Sequence, residues 1–488
     1  MKIQLEQIDL LQPWPTLKLK PGYRAMNVLV RMGDAPVGEI MARPVRKRIL
    51  THRRLKRRIA RKLSYEIIQH LTREAMSAGP AELTRNTNVS RGLRLAGKDW
   101  FFTKRFVHDE VLDPAGLREP FRTWVTQGQS RTTFACPPVT VVVCTRDRAQ
   151  QLEGCIKNLL ALDYPNYEIL ICDNSEDHIP TFDVCERLGV DYVREPIAGL
   201  SRARNRALKT ARTRWVAFTD DDCRPEKNWL KELVRPLQDS RCRAVCGLVR
   251  AAQLENSAEI TFEIYGGLGR GYYEQWYDKT WLDSSKTKTP PTWHIGAGAN
   301  MLVDRHLVLK LGGYDIDMGP GGVGGCGEDT LVFFQILKQN FSIHYQPGAL
   351  VHHYHRSSDR ALRKHIHSYA VGHAAYLWHL IFRYAEYRAA IRLFAHLPHW
   401  FIKSWRHGVR AKTPYPHNLV WEELAGTLKG PVQYTIFKAR RALNALLHQA
   451  RGLQSAGKRP APTMRYGVTE KPAQPPHDDN SQKLPRVA

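Results

Sequence analysis

The sequence predicts an α/β chain: a mainly parallel sheet with flanking helices, preceded by an N-terminal α+β region and followed by a C-terminal helical region. Three observations carry this expectation. From Pro137 onward, short β-branched apolar runs alternate with longer segments of helical period, the pattern of strand then helix repeated. Before that point alternating apolar runs flank a turn, and after about Arg356 aromatic and basic residues share helical segments. The 488 residues, 43% hydrophobic and 25% charged, match folded chains and allow several domains.

Residues 1–135 form the first region. Asn27-Val-Leu-Val-Arg-Met-Gly-Asp-Ala-Pro-Val-Gly-Glu-Ile reads as a hairpin around a Gly-Asp-Ala-Pro turn. A basic helix follows, with eleven Lys/Arg and no acid from Arg43 to Lys62. Leu55, Ile59, Leu63, Ile67 and Leu71 recur every four residues and mark a stripe expected to pack this helix on the neighbouring domain. Its basic face is then open to solvent or to lipid phosphates.

Residues 136–356 carry the alternation. Strands are expected at Val139–Cys144, Glu168–Cys172, Asp191–Arg194, Trp215–Thr219 and Ala244–Val249, and helices at Arg148–Leu162, Thr181–Leu188, Ser201–Thr210 and Pro225–Leu237. Such sheets bind ligands at the carboxyl ends of their strands. Residues 357–455, with Tyr376-Leu-Trp-His-Leu-Ile-Phe-Arg-Tyr and His399-Trp-Phe-Ile-Lys-Ser-Trp-Arg, suit either packing on the preceding domain or an interfacial position. The proline-rich tail, residues 456–488, has little to bury and is expected to be disordered.

Lys and Arg number 73 against 47 Asp and Glu, a net charge of +26 that favours a polyanion. No nucleic-acid motif is present, so nucleic acid is not expected as a partner. Anionic membrane surfaces and phosphorylated substrates remain. The amino terminus lacks a secretory pattern, and Ala370 to Phe382, broken by His373 and His379, falls short of the roughly 20 apolar residues that span a bilayer. Nine scattered cysteines suit reduced thiols, and Cys242 and Cys246 have no second pair at zinc spacing. A cytoplasmic protein is expected, with its basic helices available for peripheral attachment to the inner membrane face.

The strand ends hold the chemistry-bearing residues. Cys144-Thr-Arg-Asp-Arg offers a hydroxyl and two guanidiniums before a helix, a seat for phosphate or nucleotide. Cys172-Asp-Asn-Ser brings Asp173 to the next strand end, where an ordinary turn aspartate would look the same. Ser201 could cap a helix crowded by Arg202, Arg204 and Arg206, which suits phosphate or a plain charged face. Asp220-Asp-Asp follows an apolar strand, and three adjacent carboxylates repel one another unless a hard cation such as Mg²⁺ or Mn²⁺ neutralises them. Further on, the glycines from Gly319 to Gly327 read as a mobile loop leading to a helix with Glu328 and Asp329 in its first turn, where acids serve as caps or line a pocket. Val351-His-His-Tyr-His-Arg follows a strand-like run and could hold metal or phosphate.

In order, Val141-Val-Val-Cys-Thr-Arg-Asp-Arg, Cys172-Asp-Asn, Ala203-Arg-Asn, Phe218-Thr-Asp-Asp-Asp, Gly296-Ala-Gly-Ala-Asn-Met, Gly312-Gly-Tyr-Asp, Gly327-Glu-Asp and Val351-His-His-Tyr-His-Arg resemble family 2 glycosyltransferases of the GT-A fold. The resemblance covers about residues 137 to 356. It implies inverting transfer of a sugar from a nucleoside diphosphate sugar to a hydroxyl acceptor, with Mg²⁺ or Mn²⁺; the basic, aromatic flanks outside the resemblance favour a lipid-linked or cell-envelope saccharide as that acceptor. It also implies that Thr145 and Asp173 hold the nucleoside and that Arg204 lies near the phosphates, with Arg146, Asp221 and Glu328 completing the donor contacts. Asp220 and Asp222 would be the outer acids of a DxD-type motif, with Asp220 also a donor contact, Asp220, Asp222 and His353 the metal ligands, and Asp329 the general base. The processive-synthase motif Gln-x-x-Arg-Trp is absent after the Glu-Asp segment, which favours single or few-step transfer. A Mg²⁺-dependent nucleotidyltransferase and a non-catalytic nucleotide-sugar or anionic-surface binding protein are the competing functions.

Overall fold

The computed structural model describes residues 2–43, 48–78, 100–119, 121–123, 125–126, 135–265, 267–408 and 416–455. The expected tail from 456 onward, and residues 44–47 of the basic segment, lie outside the described residues.

The N-terminal region begins with strands β1 (Lys2–Asp9), β2 (Leu17–Lys18), β3 (Tyr23–Met32), β4 (Ala35–Ala42) and β5 (Ile49–Leu50), followed by helices α1 (His52–Ala78) and α2 (Trp100–Phe106) and the short β6 (Leu112–Asp113) and β7 (Gly116–Leu117). The hairpin expected at Asn27–Ile40 is β3–β4, with β1 added parallel to β3. Leu55, Ile59, Leu63, Ile67 and Leu71 are buried, but they join Val28, Val30, Val37 and Ile40 in the region's own core. The stripe therefore does not pack on the neighbouring domain as the sequence suggested; the hairpin supplies a nearer apolar face. Contact with the next region is made instead by a small apolar cluster of Ile3 and Ala25 with Ala251, Leu254 and Ile260, by the Ile3 N–H donating to the Leu254 carbonyl at 2.8 Å, and by ion pairs that include Arg31 to Glu226 at 2.6 Å and Arg250 to Glu39.

The central region runs β8 (Val139–Thr145), α3 (Ala149–Leu159), β9 (Tyr167–Asp173), α4 (Ile179–Leu188), β10 (Asp191–Arg194), α5 (Leu200–Thr210), β11 (Trp215–Asp220), β12 (Cys223–Pro225), α6 (Trp229–Val234), β13 (Cys242–Ala251), α7 (Ser257–Tyr265), β14 (Gln275–Tyr277), α8 (Lys279–Asp283), β15 (Asn300–Asp304), α9 (Arg305–Lys310), α10 (Glu328–Lys338) and β16 (Ser342–His353). These strands build one sheet in the order β10-β9-β8-β11-β15-β13-β16-β12, with β14 also on β16. The expected α/β architecture is present. The sheet is mixed rather than mainly parallel, because β15 runs antiparallel to both β11 and β13, and β12 antiparallel to β16. The helix expected at Pro225–Leu237 is shorter, since Pro225 ends edge strand β12, where a missing N–H is tolerated. Apolar clusters fill both faces of the sheet, with Val142, Phe218 and Met301 on one and Val141, Ile171 and Leu302 on the other.

Helices α11 (Asp359–Tyr384), α12 (Tyr387–Ile391), α13 (Leu397–Gly408) and α14 (His417–Ser455) follow. The side chains of α11 from Val371 to Leu380 enter the same core as α10. A Cβ on Gly430 of α14 would strike the Val371 carbonyl and the Ala374 methyl, so this glycine sets how closely α14 approaches α11. The residues from Ala439 onward form a separate compact unit, described only as the end of α14. No helix among the described residues is long and apolar enough to cross a membrane.

Candidate active site

Strand register collects the site. Parallel pairing sets Thr145 beside Asp173 and Cys144 beside Asp220, so the ends of β8, β9 and β11 lie along one edge. Antiparallel pairing of β12 with β16 sets Cys223 opposite His353, which brings the preceding Asp222 to that histidine. A cavity of about 1450 Å³ opens at this edge, and Thr145, Arg146, Arg204, Asp220, Asp221, Asp222, Glu328, Asp329 and His353 all line it.

Asp173 does not. Its side chain is fully buried, accepting from the Ser175 N–H at 2.9 Å and the Tyr192 hydroxyl at 3.0 Å. The neighbouring Asn174 lines the cavity instead. Arg146 sits at the rim, exposed and paired with Glu176 at 3.0 Å. Arg148, which none of the sequence assignments named, reaches Asp221 at 2.9 Å and Asp222 at 3.0 Å; its signal was the second guanidinium of Cys144-Thr-Arg-Asp-Arg. Asp221 also accepts from the Thr145 hydroxyl at 2.7 Å.

Arg204 is the inward residue of the three arginines on α5. It donates to Glu328 at 2.8 Å and lies 4.0 Å from Asp220, linking the two acidic segments. Ser201 does not cap α5. Gly199 precedes the first turn, its N–H donating to Asn174 Oδ1 at 2.7 Å, while the Ser201 hydroxyl donates to the Met318 carbonyl at 3.0 Å. The glycine run is packed rather than free: Gly325 N–H donates to the Ser368 carbonyl at 2.9 Å, and Gly324, with φ +79°, touches the backbone of Gly372. Its glycines serve a backbone-to-backbone approach that any Cβ would block.

Asp222 and His353 face each other at 3.1 Å, with Cys223 in the same group of potential ligands. Burial would raise the Asp222 carboxyl, yet the His353 hydrogen bond, Arg148 and Arg356 hold it at about 2. Burial disfavours a charged His353, but Asp222 and Asp220 outweigh it and raise its pKa. Burial also pushes the Cys223 thiol well up, which keeps it neutral and a poor ligand. Asp220 stands outside this group, and enclosure in the cleft pushes its carboxyl up to about 6 against Arg204. Asp329 Oδ2 accepts from the Gly298 N–H at 2.8 Å and Oδ1 from the Thr330 N–H at 2.7 Å, fixing the carboxylate at the start of α10.

Fold and site together define a ligand-binding α/β domain with an acidic crevice at its strand ends. Residues 140–312 match the family described as Glycosyl transferase family 2. Among curated relatives, human polypeptide N-acetylgalactosaminyltransferase 14 is 26% identical over 36% of this chain and 31% of its own length. The pre-mycofactocin glycosyltransferase of Mycobacterium tuberculosis is 26% identical over 46% of this chain and 44% of its own. The chain thus spans less than half the length of these relatives. A mannosyltransferase from Pyrobaculum calidifontis, solved with GDP-Man and Mn²⁺, aligns at 21% identity and a TM-score of 0.37, covering 66% of this chain and 82% of its own.

Proposed function

We propose that this chain is an inverting, metal-dependent glycosyltransferase that moves a sugar from a nucleoside diphosphate sugar to a hydroxyl of a saccharide or lipid-linked acceptor. The observation that carries this reading is the convergence of Asp220–Asp222 with Glu328–Asp329 on one cavity. Asp329, held by two backbone N–H groups, is suited to take the proton of the attacking hydroxyl. Arg204 and Arg148, each paired with carboxylates of the same cavity, are the guanidiniums beside the acidic segment that are suited to meet a departing diphosphate. A carboxylate and an imidazole at 3.1 Å form a donor set that fits Mn²⁺ and, less well, Mg²⁺, so Asp222 and His353 would hold the ion. When bound, such an ion neutralises charge developing on the leaving group. Asn174, Thr145 and Arg146 line the end of the cavity that suits a nucleoside.

A nucleotidyltransferase would use the acids and the metal without needing Asp329, and a binding module would need no turnover at all. Thermal stabilisation by a panel of UDP-, GDP- and dTDP-sugars with Mn²⁺, followed by transfer assays on the best donor, tests the reading. Stabilisation by a nucleotide sugar together with release of the free nucleoside diphosphate supports it; stabilisation by nucleoside triphosphates alone overturns it.

Peripheral attachment to an anionic membrane, from a cytoplasmic location, belongs to the same reading. Trp421, Leu428, Val432 and Ile436 are exposed on α14 at spacings that share one helix face, and Lys429 is close by in sequence.

A further inference from the structure

The cavity extends past Asp329 to Arg270, Trp293, His294, His373 and Arg392. The Arg392 guanidinium lies 4.5 Å from the centre of the Trp293 ring and donates from Nε to His373 Nε2 at 3.3 Å. Arg270 donates from Nη1 to the Gly269 carbonyl at 3.1 Å and the Gly267 carbonyl at 3.3 Å, while its Nε is buried with no hydrogen-bond partner. Among the described residues no carboxylate forms an ion pair with either guanidinium. Elsewhere the inward arginines are neutralised, as Arg204 is by Glu328 and Arg388 by Glu386.

Two half-buried guanidiniums without a counter-charge are costly in a low-dielectric cleft. Burial lowers the pKa of both. Enclosure in the cleft and the two guanidiniums push His294 down to about 4, and burial with Arg392 pushes His373 to about 3, so both rings are neutral and add no compensating charge. His294 feels both arginines, and Arg270 in turn feels the Asp329 carboxylate, which ties this basic end to the catalytic end of the cavity. A guanidinium fork with an orphaned N–H matches the oxygen pairs of phosphate and carboxylate.

Building on the glycosyltransferase reading, we propose that Arg270 and Arg392 form an anion subsite for the acceptor. The acceptor then carries an anionic group, a phosphate ester or a uronate, near the hydroxyl that faces Asp329.

The test is calorimetric titration of the full chain in EDTA, without any nucleotide sugar, using inorganic phosphate in one arm and methyl glucuronoside in the other. The expected result is millimolar or tighter binding in at least one arm, weakened about tenfold in Arg270→Gln and in Arg392→Gln, partly restored in Arg392→Lys, and retained in Arg148→Gln. The arm that responds identifies the anion. Binding in neither arm, or binding lost only with Arg148, overturns the subsite. Thermal melts of the variants show that each is folded, and the lysine variant keeps the charge should the glutamine variant fail to fold. Because no donor is present, responsive binding in a chain that transfers no sugar would keep the subsite and reject the glycosyltransferase reading, whereas transfer without responsive binding would do the reverse.

Discussion

Arg204 and Glu328 are 124 positions apart in sequence and share a fully buried ion pair at 2.8 Å. This contact joins the helix after β10 to the first turn of α10, and so holds the acids near 220 and near 329 on one cavity. Removing the arginine alone leaves a buried carboxylate without its partner. Arg204→Met is therefore expected to cost about 3–5 kcal/mol in denaturant unfolding, with Arg204→Met/Glu328→Leu recovering part of the loss. A double variant no more stable than the single would show that the pair does not couple the two segments.

Asp329→Asn keeps the shape of the carboxylate and removes its basicity. Nucleotide-sugar stabilisation of the fold is expected to persist while turnover falls about 10²–10⁴-fold. Equal rates for variant and parent would move the base elsewhere. Asp222→Ala should instead lose the Mn²⁺-dependent part of the thermal shift, because it removes half of the carboxylate and imidazole pair.

Gly430 lies where α14 meets Val371 and Ala374 of α11. A leucine at this position forces the helices apart or strains the backbone, and overpacking of this kind typically costs about 1–3 kcal/mol. Since Val371, Ala374 and Ala375 belong to the core shared with α10, the melting temperature should fall and donor affinity should fall with it. An unchanged melt would mean that α14 does not brace the cavity.

His70, His344, His365, His373 and His379 are all depressed by burial, to about 4 or, for His373, about 3. For a base whose folded pKa is lowered, the stability contribution is complete above the unfolded value near 6.5 and is lost as pH falls toward the folded value. Each such histidine then adds a slope of up to about 1.4 kcal/mol per pH unit below 6.5. Denaturant midpoints should be flat from pH 8 to about 7 and decline steeply by pH 5. His373→Phe should shorten that decline.

The exposed face of α14 gives the last expectation. Trp421→Glu with Leu428→Glu should abolish co-sedimentation with anionic vesicles while leaving nucleotide-sugar stabilisation intact. Sedimentation that survives both changes would assign the surface to something other than lipid.

Much of the central region was legible in the chain, because strand and helix periods and turn residues are local properties. The strands at 139, 167, 191, 215 and 242 begin within two residues of their expected starts. Asp220, Asp222, Asp329 and His353 stand out by type, directly after apolar strands or in the first turn of a helix, but their separate roles were expectations that only the resemblance of the ordered motifs implied. What followed from packing could not be read. The mixed sheet depends on β15 entering antiparallel between β11 and β13, a choice of direction that no local pattern encodes. The inward turn of Asp173, the pairing of Arg204 with Glu328, the convergence of Arg270 and Arg392, and the burial of the α1 stripe in its own region each depend on which distant face arrives. The sequence determined which residue types stand at the strand ends, and only the tertiary structure decided which of them share one low-dielectric cleft and which are spent on neighbours. The physical reason is that ion pairing and burial are set by distances across space, whereas sequence periodicity fixes only the direction in which a side chain leaves its own element.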